Sequence, residues 1–351
     1  MIMAGGRSVS EPIKTIATTK SRVRPRSAPV PAEGEDGLFT ESWFPVALSS
    51  EIPIGQVIGR PFLDGRIVIF RGDDGIARVM SAYCPHLGAD LAAGKVVGNR
   101  IQCGFHHWEF NADGWCEKTG IGDPPPKAAC LYNFHAVERF GLVWAFNGAE
   151  PWWQIPDYPK ADDEIAFMVS YDVPPLPVDP WVVCANTPDW QHLKVVHRLQ
   201  FDHEWLYDEI AWTDHSMEYD LDARFEQGGG PSLKARVGIY GTSFFRLHGE
   251  FMGQWISALT GFHPIAPGKT QVYYSLGTTK SNGTPEDDAR VAMTHDLLFR
   301  LGKSIVSDDR PILHSLKYAP GVMTRSDRAL AKYLGMVRAF PRSHDASDFI
   351  K

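Results

Sequence analysis

At 351 residues the chain is long enough for two domains, each able to bury a core. A hydrophobic content of 44%, a charged content of 22% and a formal net charge of −7 describe an ordinary globular protein and argue against a nucleic-acid partner. No apolar run approaches the ~18 residues of a membrane span, and five cysteines in a long chain without a secretory signal predict free thiols in a reducing cytoplasm, not a disulfide framework.

In chain order, residues 1–38 come first and differ from the rest. "SRVRPRSAPVPAEGEDG" is rich in Pro, Ser and Arg and poor in large apolar residues, so it predicts a flexible tail. The sharper alternative is an organellar transit peptide, since the first 30 residues carry six basic side chains against one acidic. Residues 39–150 predict a small all-β domain: β-rich runs are punctuated by the turn signals "LDG", "GDDG" and "NADG". The Pro- and Trp-rich "NGAEPWWQIPDYPKADDE" then leads into a second domain, residues 151–351. Its strands are "SMEYDLDARFEQ", "SLKARVGIYGTSFFRLHGEF", "ISALTGFHPI" and "TQVYYSLGTTK". A long helix should open at Thr284 as N-cap with Pro285 in its first turn, and another near Ser326. The fold class is therefore α+β, an all-β domain followed by an antiparallel sheet with C-terminal helices packed on it.

Two segments carry metal-binding residue types. In "YCPHLGADLAAGKVVGNRIQCGFHHW", Cys84 and His86 form one pair and Cys103 and His106 another, with 16 residues between them. Zinc accepts two cysteines and two histidines but usually pairs like with like along the chain. One Cys and one His in each loop suits a two-iron cluster, with both thiolates on one iron and both imidazoles on the other. The remaining Cys116, Cys130 and Cys184 read as small apolar residues. In "CANTPDWQHLKVVHRLQFD", Asn186, Asp189, His192 and His197 are spaced Asn-x₂-Asp-x₂-His-x₄-His. Thr187 and Pro188 read as the start of a helix that puts Asn186, Asp189 and His192 on one side. His197 would then diverge from His192 by about 140° unless a π-type widening or a break intervenes. A solvated helix with two incidental histidines is the plain alternative.

"CPHLGADL" with "CGFHHW" resembles the Rieske [2Fe–2S] motif, and the flanking "GRIVIFRGDDGIARVMSAYCPH" and "FNADGWC" resemble a Rieske domain throughout. Two residues depart from the pattern common in Rieske oxygenases: Gly104 stands for a proline and His107 for the glycine after the ligand. The disulfide cysteines of respiratory-chain Rieske proteins are absent, with Ala89 and Phe105 in their places. With the second segment included, residues 40–345 resemble the α subunit of Rieske non-haem iron oxygenases. The resemblance implies a helix-grip-like catalytic domain and a mononuclear Fe(II) held by His192, His197 and a carboxylate on the long helix, best fitted by Asp309 with Asp308 as the fallback. Pro311, just beyond, should kink that helix.

The resemblance also implies O₂ as co-substrate and a head-to-tail homotrimer in which Asp189 meets His86 or His106 of the next subunit. Asn186 and Asp189 are the expected catalytic residues beside the iron. With no Gly-x-Gly-x-x-Gly fingerprint in the chain, NAD(P)H oxidation is expected on a separate reductase, directly or through a ferredoxin. The Rieske segment looks most like the steroid and sterol branch, ketosteroid hydroxylases and cholesterol 7-desaturases. An apolar small organic substrate, steroid-like or aromatic, and monooxygenation in preference to dihydroxylation follow as expectations. The alternative is a Rieske electron-transfer protein whose second domain only binds partners.

Overall fold

The computed structural model describes residues 28–201, 209–225, 231–319 and 321–351. The first domain is built from three small antiparallel sheets. In one, Asn133–Phe134, Ala77–Ser81, Gly65–Arg71 and Val57–Phe62 lie in that order; a second joins Ala136–Arg139, Leu142–Phe146 and Trp43–Leu48. The apolar run in "GRIVIFR" is buried on both faces: Ile67 and Ile69 pack with Phe44 and Phe62, while Val68 and Phe70 enter a second cluster with Leu91 and Ile101. The third sheet, Lys95–Val97, Arg100–Gln102, Glu109–Phe110 and Cys116–Lys118, carries the second Cys/His loop between two of its strands, while the first leads from Ala77–Ser81 toward it.

The second domain is one curved antiparallel sheet. From one edge it runs Ile165–Leu176, Lys269–Thr279, Gln254–Ala266, Phe244–Phe251, Ser232–Tyr240, Ser216–Phe225 and Leu199–Phe201, with Ala211–Trp212 also paired to Ser216–Phe225. All four expected strand segments are present. The twelve-residue strand Ile165–Leu176 was not anticipated, because Pro174 and Pro175 lie inside it. Proline is tolerated there because the strand is at an edge, where pairing skips from Asp172 to Leu176.

Among the described residues the α-helices are α1 Pro180–Cys184, α2 Trp190–Val195, α3 Pro285–Ser315, α4 Arg328–Ala339 and α5 Ser347–Ile350. Thr284 caps α3, its hydroxyl accepting from Asp287 N at 3.3 Å. The helix continues through Pro311 to Ser315. It lies over the sheet, and Leu298, Val306 and Leu313 join Tyr219, Val237 and Leu276 in the core of this domain.

The two domains share a core in which Trp43 and Trp144 pack with Phe244 and Tyr273. Hydrogen bonds cross the same junction: Tyr273 to Val46 O at 3.2 Å and Ser275 to Phe140 O at 2.6 Å, both buried, and His263 to Pro61 O at 2.7 Å, partly buried. The chain ends also cross it. Arg342–Ser343 pairs with Phe39–Thr40, and Ala346 and Ile350 enter the core of the first domain.

Of the tail expected over residues 1–38, residues 1–27 lie outside the described residues, and residues 28–38 are not free. Arg338 and Arg342 hold the carbonyls of Ala28, Ala32 and Leu38, and Glu33 is buried. Glu33 N donates to Asp179 Oδ2 at 3.0 Å, while Thr40 donates N–H and hydroxyl to the Glu33 carboxyl at 3.0 and 2.8 Å. These partners are too distant in sequence for composition to reveal.

Burial, with Asp179 adding to it, pushes the Glu33 carboxyl from its ordinary 4.5 up to about 7. The folded state then binds more protons than the unfolded chain between those values, so stability falls as pH rises through that window. The loss should approach ~3 kcal/mol, and Glu33→Gln should flatten it. Urea midpoints of both proteins at pH 5 and pH 8 check this.

Candidate metal centres

The first four candidate ligands sit on two loops. Residues 83–90 follow the strand Ala77–Ser81, and residues 103–108 join Arg100–Gln102 to Glu109–Phe110. Cys84 and Cys103 are buried, free thiols within one apolar cluster with Leu91, Ile101 and Phe110. Burial, and then the neighbouring Cys103, push the Cys84 thiol up to about 12, so the two thiolates need a bound cation to form side by side. The rings of His86 and His106 lie 4.7 Å apart at the protein surface. Among the described residues, no three of Cys84, His86, Cys103 and His106 bring ligand atoms within 4.8 Å of one another.

Aromatic neighbours frame this end and were not singled out from the sequence, although "CGFHHW" contains them. Trp108 stacks on His86 with centroids 4.4 Å apart and planes 7° from parallel, and Phe105 lies 3.8 Å from His106. Both departures from the oxygenase pattern have a local account. His107 takes φ +57°, a left-handed conformation that glycine adopts without strain. A Cβ on Gly104 would lie 2.7 Å from Ala93 O, so a larger residue there would require the turn at Leu91–Ala93 to shift. Cys184 is buried as expected of a small apolar residue, whereas Cys116 and Cys130 are half-exposed.

The second site corrects the expected helix. Thr187 and Pro188 precede the helix and do not start it; α2 begins at Trp190, and Asp189 is its N-cap, Oδ1 accepting from His192 N at 3.0 Å. The carboxylate caps more effectively than Thr187 would because it also suits the positive end of the helix dipole. After Val195 the helix opens: His192 O accepts from Val196 N at 2.9 Å and from His197 N at 3.5 Å, and Arg198 turns to φ +55°. This π-type turn brings the two rings to the same side. His192 Nε2 and His197 Nε2 are 2.9 Å apart, and Asp309 Oδ1 lies 3.3 Å from each.

The three atoms lie within 4.8 Å of one another. Asp309 is 6% exposed; its Oδ2 accepts from Asn186 Nδ2 at 3.1 Å, while its Oδ1 is buried with no hydrogen-bond partner among the described residues. A buried carboxylate oxygen aimed at two imidazole nitrogens, with nothing to neutralise it, is what a divalent cation would satisfy. Burial lowers the pKa of His192, against the opposing pull of Asp309, which favours the neutral imidazole that a metal requires. Asp308, with a side chain 53% exposed, lies outside this group, its Oδ2 3.9 Å from the other ring nitrogen of His197, Nδ1. Both histidines, Asp309 and Asn186 open on a cavity of about 210 Å³ between the sheet and α3, walled mainly by Leu, Phe, Ile and Val side chains.

Comparison with known proteins agrees with both halves. Residues 42–130 match the Rieske [2Fe–2S] domain model. Cholesterol 7-desaturase nvd from Bombyx mori is 37% identical over 168 residues, 45% of this chain and 36% of that protein. Aminopyrrolnitrin oxygenase PrnD from Pseudomonas fluorescens is 32% identical over 171 residues, 45% of this chain and 46% of that one. The chain thus spans less than half the length of these curated relatives. In fold it matches dicamba monooxygenase bound to dicamba, with a TM-score of 0.67 at 18% identity over 86% of this chain and 96% of that one. The matched domain model is that of a [2Fe–2S] domain and one solved structure of dicamba monooxygenase contains non-haem iron; the residues present in this chain fit both groups. Residues 42–130 are a Rieske [2Fe–2S] domain, and the chain as a whole shares the fold of dicamba monooxygenase.

Proposed function

We propose that this chain is a terminal oxygenase component acting on an apolar small molecule by monooxygenation. The observation that supports it most is the convergence of His192, His197 and Asp309 on one point at the wall of an apolar cavity. Iron bound there would supply O₂ activation, with electrons delivered from the cluster on Cys84, His86, Cys103 and His106. The protein residues supply geometry. Asn186 holds Asp309 by Oδ2 and leaves Oδ1 for the metal; the Asp189 cap fixes the first turn of α2 and so the position of His192. The apolar walls exclude water and hold an uncharged substrate against the ligand set. A steroid-like or aromatic substrate accords with those walls and with the similarity to a cholesterol desaturase. A pure electron carrier would have no use for an inward-facing triad beside a cavity.

Electrons come from a separate NAD(P)H-dependent reductase, directly or through a ferredoxin. The assembly is a homotrimer in which Asp189 of one subunit meets the cluster histidines of the next. The surface exposure of Leu87 and Phe105 at the cluster end, 67% and 61%, supports such docking.

The test is single turnover. Holoprotein with a dithionite-reduced cluster is mixed with O₂ alone, or with O₂ and members of a steroid and polycyclic-aromatic panel. Cluster reoxidation should be fast only with an accepted substrate and should yield an oxidised product. Reoxidation indifferent to every substrate, with no product, contradicts the proposal. Asp189→Asn keeps a good N-cap residue, so fold and both metals should remain while reoxidation slows at least about tenfold. An unchanged rate in that variant contradicts the Asp189 bridge alone.

A further inference from the structure

Among the described residues, the cavity beside the triad has no Lys, Arg or Glu in its lining, and its one carboxylate is Asp309. A charged substrate would have to leave its water without a counter-charge, so an uncharged molecule is selected. Among the described residues two tyrosines line the cavity, and they differ. The hydroxyl of Tyr219 donates to Thr187 O at 3.2 Å. That of Tyr274 is buried with no hydrogen-bond partner among the described residues, in a side chain belonging to a residue only 2% exposed. Tyr274 stands opposite Thr260 on the next strand, under Gly302 of α3, whose missing Cβ would sit 3.9 Å from the tyrosine ring. Burial pushes the phenol well above its ordinary range, so it stays protonated and able to donate.

We propose that Tyr274 is a specificity-determining residue of this cavity, its hydroxyl donating to a carbonyl or ether oxygen on an uncharged, otherwise apolar substrate. The proposal rests on the reading of the cavity as the substrate site. A bound oxygen acceptor would satisfy the tyrosine hydroxyl that the described residues leave unpaired.

The test measures equilibrium binding of three matched probes to holoprotein, wild type and Tyr274→Phe: fluorene, 9-fluorenone and fluorene-9-carboxylate. Wild type should bind fluorenone about three- to tenfold more tightly than fluorene. Tyr274→Phe should abolish that preference, leave fluorene binding unchanged and not lower Tm, since it removes an unsatisfied group. A preference that survives in the variant, equal binding of the two probes by wild type, or a lowered Tm showing an internal partner for the hydroxyl would each overturn the role of Tyr274. Failure of both neutral probes to bind, or tightest binding of the carboxylate, would overturn the apolar-substrate reading itself.

Discussion

Protein carrying His192→Ala, His197→Ala or Asp309→Ala is expected to lose one iron per chain, keep its Rieske spectrum and turn over substrate at below about a thousandth of the wild-type rate. The size of the effect follows from geometry: the three ligand atoms lie within 4.8 Å of one another, and removing one leaves too few for a divalent cation. Asp308→Ala is the matched control. Its carboxylate is half in solvent and 3.9 Å from His197 Nδ1, so its loss should weaken iron binding by no more than about tenfold. Metal analysis and EPR of the four variants decide between the neighbouring acids. Iron lost on Asp308→Ala but retained on Asp309→Ala would move the ligand by one residue.

The second large effect concerns the cluster. Cys84→Ser or His106→Ala should abolish the brown colour and the reduced Rieske EPR signal, because each removes a protein ligand from an iron that has only two. Electron delivery, and with it turnover, should vanish. The second domain should stay folded, since its core does not contain the cluster residues; unchanged far-UV circular dichroism would show that. A surviving signal in Cys84→Ser would remove that residue from the ligand set.

How much of this was legible in the sequence depended on whether the signal was local. The Cys84/His86 and Cys103/His106 pairs could be read because ligand chemistry is written in residue type and short spacing. The long helix could be read from Thr284, Pro285 and the acids after them, since capping is decided within one turn. The start of α2 could not: Thr187 and Asp189 are both good caps two residues apart, and tertiary placement of the chain favours Asp189. Nor could spacing choose between Asp308 and Asp309. On a helix adjacent residues point about 100° apart, and the choice is set by how α3 is rotated over the sheet. Residues 28–38 and 342–350 were hidden for a related reason. Glu33 and Ile350 are ordered by partners more than a hundred residues away, Asp179 for one and Gly65 for the other, and pairing across such distances leaves no mark in composition.

The account rests on two different iron sites in one chain, so the most direct measurement is iron and acid-labile sulfide per chain in purified, iron-supplied protein. The account predicts about three irons for about two sulfides, with about one iron removable by chelation without loss of the Rieske signal. About two irons for two sulfides at any iron supply, or zinc without sulfide, would contradict it.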